Sequence, residues 1–262
     1  MVQLGGVSLG FLMVLLTGVL NYFEHQTAED QFSEHLTDLS LSITAHAQQS
    51  LYSANVALEG IYSELVGQRF ANEEDFKKQV VRSEEFSSLN QKINSNPLID
   101  VATVVAKDGR VLNFTRSYPP PPINLSDRDY FAWHKTHTGS QTFYSQPVKN
   151  RGTEKWVFYL TKRLDDRNGE FLGLVLIGMS VDSFSSFYKA LFSNLGSSVR
   201  TALYREDSLV MTSWPLQDTI ISKVDSKILN QSSRGEVGSI PKTFISVDSS
   251  PEHSLRDLNR DH

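Results

Sequence analysis

Arg128 is the side chain in this sequence best suited to recognition chemistry. It stands in the run Asp127-Arg128-Asp129-Tyr130-Phe131-Ala132-Trp133-His134. Its planar fork can hold a carboxylate or phosphate in bidentate fashion, although Asp127 or Asp129 could take the same fork. Neighbouring helix positions point in different directions, so one of Tyr130, Phe131 and Trp133 should look into a cavity, and Tyr130 is the candidate. His134 is a candidate polar lining group. His134 and His137 are three residues apart, a spacing that can share a metal, but with no third ligand nearby no metal site is assigned. Tyr144, Trp156, Tyr159 and Lys162 complete the candidate ligand-binding set, because the inward face of a central hairpin would point at the Arg128 helix. Along that strand the alternation separates Trp156, Phe158 and Leu160 from Val157, Tyr159 and Thr161. Which set faces inward is left open. Lys149 and Arg151 read as solvated loop residues.

Catalytic signals are weak by comparison. Ser186-x-x-Lys189 fits a Ser-x-x-Lys pattern that many helices share, and its companion motifs are missing. The sequence has no Walker loop, His-Glu-x-x-His or nucleophile elbow. It is therefore read as non-enzymatic, with no cofactor. A net charge of −5 spread without a basic face argues against a nucleic-acid partner. There is no cysteine, so neither disulfides nor thiolate metal sites can form.

The elements that must position these groups are legible from periodicity. Residues 24–67 carry one apolar helical stripe through Leu36, Ile43, Ala47, Leu51, Ala54, Leu58, Ile61 and Leu65. That stripe is long enough to serve a sheet and a second copy of itself, which predicts a homodimer through this helix. A second helix is expected from an Asn72 cap to Asn96-Pro97. Ile99–Ala106 and Val111–Thr115 read as paired strands across Lys107-Asp108-Gly109-Arg110, followed by a stiff loop, Ser117–Pro122. Ser126 is expected to cap the Arg128 helix, with Gly139 as its stop. Then come a strand at Gln141–Val148, a hairpin of Trp156–Arg163 and Phe171–Ser180 turning at Asp165–Gly169, and a helix from Asp182. A final hairpin spans Val199–Tyr204 and Leu209–Ser213. Antiparallel strands with helices packed on them predict an α+β domain with a sheet of about five strands. Residues 217–262 are polar, with weak strand signals at Gly235–Ile240 and Thr243–Val247.

The N-terminus is of another kind. Residues 1–23 carry no charge, and Leu4–Leu20 is almost wholly apolar. This predicts a transmembrane anchor at the short end of the spanning range, with Tyr22 at the interface. A cleavable signal peptide is disfavoured by the missing basic region and the missing small-residue exit site.

The ordered series of motifs resembles a known family. It comprises IDVATVVAKDGRVL at 99–112, SYPPPPINLSDRDYFAWH at 117–134, FYSQPVKNRG at 143–152, WVFYLTKRLDDRNGEFLGLVLIGMSVDSF at 156–184 and LYREDSLVMTSWP at 203–215. Over residues 24–215 this resembles the double Cache, PDC-like extracytoplasmic sensor of bacterial membrane receptors, most of all those preceding GGDEF diguanylate cyclase domains. The resemblance implies a PAS-like fold, a small-molecule ligand near Arg128, and a location at the bacterial inner membrane with the bulk periplasmic. It also implies domains at 1–23 (anchor), 24–97 (helical stalk and second helix), 98–216 (membrane-distal lobe) and 217–262 (remnant of a second lobe). On this reading the chain is a truncated receptor input module. The alternative is a membrane-anchored solute-binding protein that does not signal. Amino-acid-binding members carry a tyrosine shortly before Arg-x-Trp-Tyr and an aspartate on the later strand. Here Ile123 and Gly178 stand at those places, and Arg128-x-Tyr130-Phe131 matches in part.

Overall fold

The computed structural model describes residues 2–94, 96–151, 153–192, 199–205, 207–217, 221 and 242–247. The chain divides into two compact units, residues 1–43 and 44–262. The first is helical throughout its described length and belongs to α1 (Val2–Gly67). Few of its side chains are described; among them, Met13, Leu15, Leu16 and Tyr22 are exposed. Among the described residues no helix is long and apolar enough to cross a membrane.

In the second unit the stripe read from sequence is the buried face of α1: Ala47, Leu51, Ala54, Leu58, Ile61 and Leu65 are all nearly inaccessible. The expected second helix is two helices, α2 (Glu73–Val80) and α3 (Ser83–Ile93). Asn72 caps the first as expected, accepting from the Asp75 amide at 2.9 Å. The break has a clear cause. Buried Asn113 donates through Nδ2 to the carbonyls of Val80 (2.8 Å) and Arg82 (3.4 Å), and the Val80 carbonyl is an acceptor that a continuous helix would use.

Six strands form the main antiparallel sheet: β1 (Ile99–Ala106), β2 (Val111–Phe114), β3 (Phe143–Tyr144), β4 (Val148–Lys149), β5 (Trp156–Asp165) and β6 (Phe171–Ser180). The order is β2-β1-β6-β5-β3, with β4 also pairing β5. The single strand expected over Gln141–Val148 is thus two short ones, both laid on β5. The β5–β6 turn is closed by Asp166, whose Oδ1 accepts from the amides of Asn168 (2.7 Å) and Glu170 (3.0 Å).

Helix α4 (Asp129–Thr136) lies between β2 and β3 in the chain, and α5 (Val181–Phe192) follows β6. Helix α4 is shorter than the sequence pattern suggested. Arg128, not Ser126, is its N-cap residue, in extended conformation and without a side-chain cap. The final hairpin, β7 (Val199–Tyr204) and β8 (Val210–Trp214), does not extend the main sheet. It pairs with β9 (Lys242–Val247) in a second, three-stranded sheet of order β8-β7-β9. The weak strand signal at 243–247 falls within β9, while that at 235–240 lies outside the described residues.

Both faces of the main sheet are covered, and this decides where the candidate residues go. Every interior position of β5 and β6 is buried. One face carries Phe158 and Lys162. Phe158 meets Phe184 of α5 at 5.8 Å between ring centres, and Lys162 reaches Glu59 of α1. The other face carries Val157, Tyr159 and Thr161 and packs under Tyr130 and Phe131 of α4 with Val101, Val105, Leu174 and Leu176.

Candidate functional site

A cavity of about 270 Å³ opens on the α4 side of the main sheet. Its floor is Val101 and Thr103 of β1, Tyr159 of β5 and Leu176 of β6, and Val111 and Phe114 of β2 form one side. Its roof is the loop carrying Pro121, Ile123 and Leu125, which runs into Arg128; Asn150, Arg151 and Thr153 close the remaining wall. The volume sits just below the ~300–1,000 Å³ typical of small-molecule sites.

Backbone bonds hold the roof. The Val111 amide donates to Ile123 O at 3.1 Å and the Leu125 amide to Gly109 O at 2.8 Å. Arg151, expected to be a solvated loop residue, pins the same loop by donating to Asn124 O and pairing with Asp127 at 2.6 Å. At Arg128 the amide donates to Leu125 O (3.2 Å), and its carbonyl accepts from Phe131 and Ala132, both at 3.1 Å. The backbone that presents this guanidinium is therefore fixed on both sides before any ligand arrives.

Of the arginines lining the cavity, two are neutralised in place: Arg116 by Asp100 and Arg151 by Asp127. Arg128 is not. Among the described residues its guanidinium makes no hydrogen bond or ion pair, and its Nε is buried without a partner. Its neighbour Asp129 does not satisfy it. The Asp129 Oδ2 accepts from the Gln146 amide at 2.7 Å and lies 3.7 Å from buried Arg205, and burial raises its pKa. A half-buried guanidinium facing a cavity without a hydrogen-bond partner invites an anion.

The candidate residues divide sharply. Arg128 and Tyr159 line the cavity. Tyr130 stands directly behind Tyr159, edge to face at 5.5 Å, fully buried and with its hydroxyl unpartnered. Burial drives its pKa well above that of free tyrosine. The other four lie elsewhere. His134 is a core residue, its Nε2 2.8 Å from the Thr161 hydroxyl. His137, instead of sharing a metal with it, stacks on Trp133 at 4.4 Å. Tyr144 is opposite Leu160 in the β3–β5 register and so belongs to the α1 face. Trp156 packs on a separate cluster with Tyr204 and Val210. Lys162 is on the α1 face, paired with Glu59 and 4.5 Å above the Tyr62 ring.

The residues that sequence reading missed are Thr103, Phe114, Arg116 and Leu176, all on or beside strands expected to be plain core. Their only signal is parity with Tyr159 through the register, since Leu176 faces Thr161 and Gly178 faces Tyr159. Gly178 matters here. A Cβ at this position would lie 2.9 Å from Tyr159 Cε1 and 2.8 Å from Val101 Cγ1. The absence of a side chain there lets the Tyr159 ring lie across the sheet as the cavity floor.

No family model and no curated protein sequence matches the chain. Solved structures do. The extracellular domain assigned to the histidine kinase rpHK1S-Z16 superposes with a TM-score of 0.60 at 24% identity, covering 74% of this chain and 76% of that one. The fold is that of extracellular sensor domains. The same architecture recurs in the ligand-binding domain of the Pseudomonas aeruginosa PAO1 amino acid chemoreceptor PctC, solved with GABA (TM-score 0.51, 12% identity, 74% and 80% coverage). It recurs again in an extracellular ligand binding receptor from Desulfohalobium retbaense (TM-score 0.54, 18% identity). There the match covers 82% of this chain and 40% of the receptor. The cavity over the sheet is a feature of this fold with recognition chemistry.

His134 gives the fold a testable acid sensitivity. Burial, then the Arg163 and His137 charges, lower its pKa from 6.5 to about 4, against the hydrogen bond to Thr161. The unfolded chain takes up this proton below pH 6.5, whereas the folded chain resists until about pH 4. Stability from this group is therefore complete above pH 6.5 and is lost as the pH falls towards 4, by about 3 kcal/mol in all. Urea midpoints of the wild type should fall over that window more steeply than those of His134→Gln. Equal slopes would mean that the imidazole is not held neutral.

Proposed function

We propose that the chain is the ligand-sensing input module of a bacterial membrane receptor, with residues 44–216 outside the cytoplasm. A small polar or anionic molecule binds between Arg128 and the β1–β2–β5–β6 surface. The observation that carries this reading is the unpaired Arg128 guanidinium, fixed by its backbone bonds at the edge of a preformed cavity. The sensor fold shared with receptor domains supports it. On this reading the chain recognises and does not catalyse.

Residues 1–23, free of charge and with Met13, Leu15 and Leu16 exposed, supply the anchor in the inner membrane. The helix of residues 24–67 pairs with its counterpart in a second copy. Tyr52, Val56 and Val66 are exposed on the side of α1 away from its buried stripe, which supports that pairing. The resemblance in sequence to receptors with GGDEF domains supports cyclic-di-GMP synthesis as the output.

The test is thermal. A small-molecule screen on the full chain in mild detergent should find ligands that raise the melting temperature. Arg128→Ala should abolish that rise while leaving the unliganded melting temperature within about 3 °C of wild type, since the side chain makes no internal bond to lose. A variant that responds to the same ligands as wild type would place the site elsewhere.

A further inference from the structure

Within the reading just given, the cavity's own chemistry narrows the ligand class. We infer that the site takes a small monoanion with an apolar body and no cationic group, that is, a carboxylate that is not an amino acid.

The charge balance comes first. Arg116 and Arg151 are each hydrogen-bonded by an aspartate, so Arg128 is the cavity arginine whose fork, among the described residues, has no hydrogen-bond partner. One anionic group satisfies it, and the guanidinium fork suits a carboxylate in particular.

An ammonium group has no counterpart. Among the described residues that line the cavity none is acidic. The nearest carboxylates are committed: Asp100 to Arg116, Asp127 to Arg151, and Asp129 to the Gln146 amide and to the charges of Arg205 and Arg128. On the floor, the position beside Tyr159 belongs to Gly178, and the Tyr159 ring fills the space where a side chain there would stand. A bound ammonium would therefore be desolvated against Arg128 with only neutral oxygens for company, which disfavours it strongly.

Most of the rest of the surface is apolar, with Thr103, Asn150 and Thr153 as its neutral polar members. Val101, Phe114, Ile123, Leu125 and Leu176 surround the space reached from the guanidinium. They favour a hydrocarbon or aromatic body over a second charged or hydroxylated end.

The experiment compares probes of similar size on the full chain in mild detergent: sodium hexanoate, sodium benzoate, hexanamide, hexylamine and L-leucine. At saturating concentration one or both acids should raise the melting temperature by about 5 °C or more. Hexanamide, hexylamine and leucine should give no more than a fifth of that. In Arg128→Gln the acid effect should vanish. The inference is overturned if leucine or hexylamine matches the acids, if hexanamide does, or if the acid effect survives in Arg128→Gln. Those results leave the sensor reading standing whenever some ligand still depends on Arg128. If neither these probes nor a broad metabolite collection shifts the wild type, the sensor reading itself falls.

Discussion

Gly173→Ala should be the most damaging single substitution in the main sheet, lowering stability by about 4 kcal/mol or more. The residue sits on β6 opposite Ala106 of β1 on one side and Leu164 of β5 on the other. Its φ of +154° is one that L-residues avoid, which alone costs about 1–3 kcal/mol. Steric contact costs more, because a Cβ there would come within 2.0 Å of the Val105 carbonyl oxygen and 3.0 Å of its carbon. Both atoms belong to a paired strand, so neither can withdraw without breaking the β1–β6 ladder, and a broken buried bond adds about 1–3 kcal/mol. Equilibrium urea unfolding measures the effect, with an expected drop in midpoint and an unchanged slope. A loss below about 1 kcal/mol would show that the strands slide apart freely, against the tight register described for β1 and β6.

Glu59→Ala should cost about 2–3 kcal/mol, and the cause lies across the sheet from the cavity. The Lys162 side chain is 5% exposed and its ammonium is paired with Glu59, whose own side chain is 43% exposed. Removing the acid leaves a buried charge with, among the described residues, the Tyr62 face against it. Fully buried pairs broken in this way lose about 3–5 kcal/mol, and the figure here is lower because water reaches the Glu59 side. Lys162→Met should be nearly neutral, since it removes the charge and keeps the buried chain. Adding Lys162→Met to Glu59→Ala should then restore most of the lost stability. If the double variant is as unstable as Glu59→Ala alone, the ion pair is not the source of the effect.

The helices and strands were legible wherever one face met solvent. The stripe on α1, the Asn72 cap and the β5–β6 turn are all readable from residue type and period. The placement of the site was legible only in part, and β5 shows why. Its interior is buried on both faces, by α4 on one and by α1 and α5 on the other. Polar and apolar residues therefore do not alternate, and nothing in the strand's composition says which residues share a face with the cavity. Tyr159 and Lys162 looked equally suitable and lie on opposite sides. His134 and Trp156 misled for a related reason. Each is a polar-tipped ring, and only tertiary contacts reveal that the His134 Nε2 bonds to Thr161 in the core while Trp156 belongs to another cluster. The α2–α3 break depended on Asn113, more than thirty residues away, beyond the reach of any local pattern.

The captured stripe on α1 also restricts how that helix can move. Turning it like a key would swing Leu51, Leu58, Ile61 and Leu65 out of the packing that now hides them. At about 1.5–3 kcal/mol for each such side chain, that penalty would consume most or all of what a small ligand supplies. Any movement of α1 within this unit must therefore take the form of a tilt or of a lengthwise stroke of helix and sheet together.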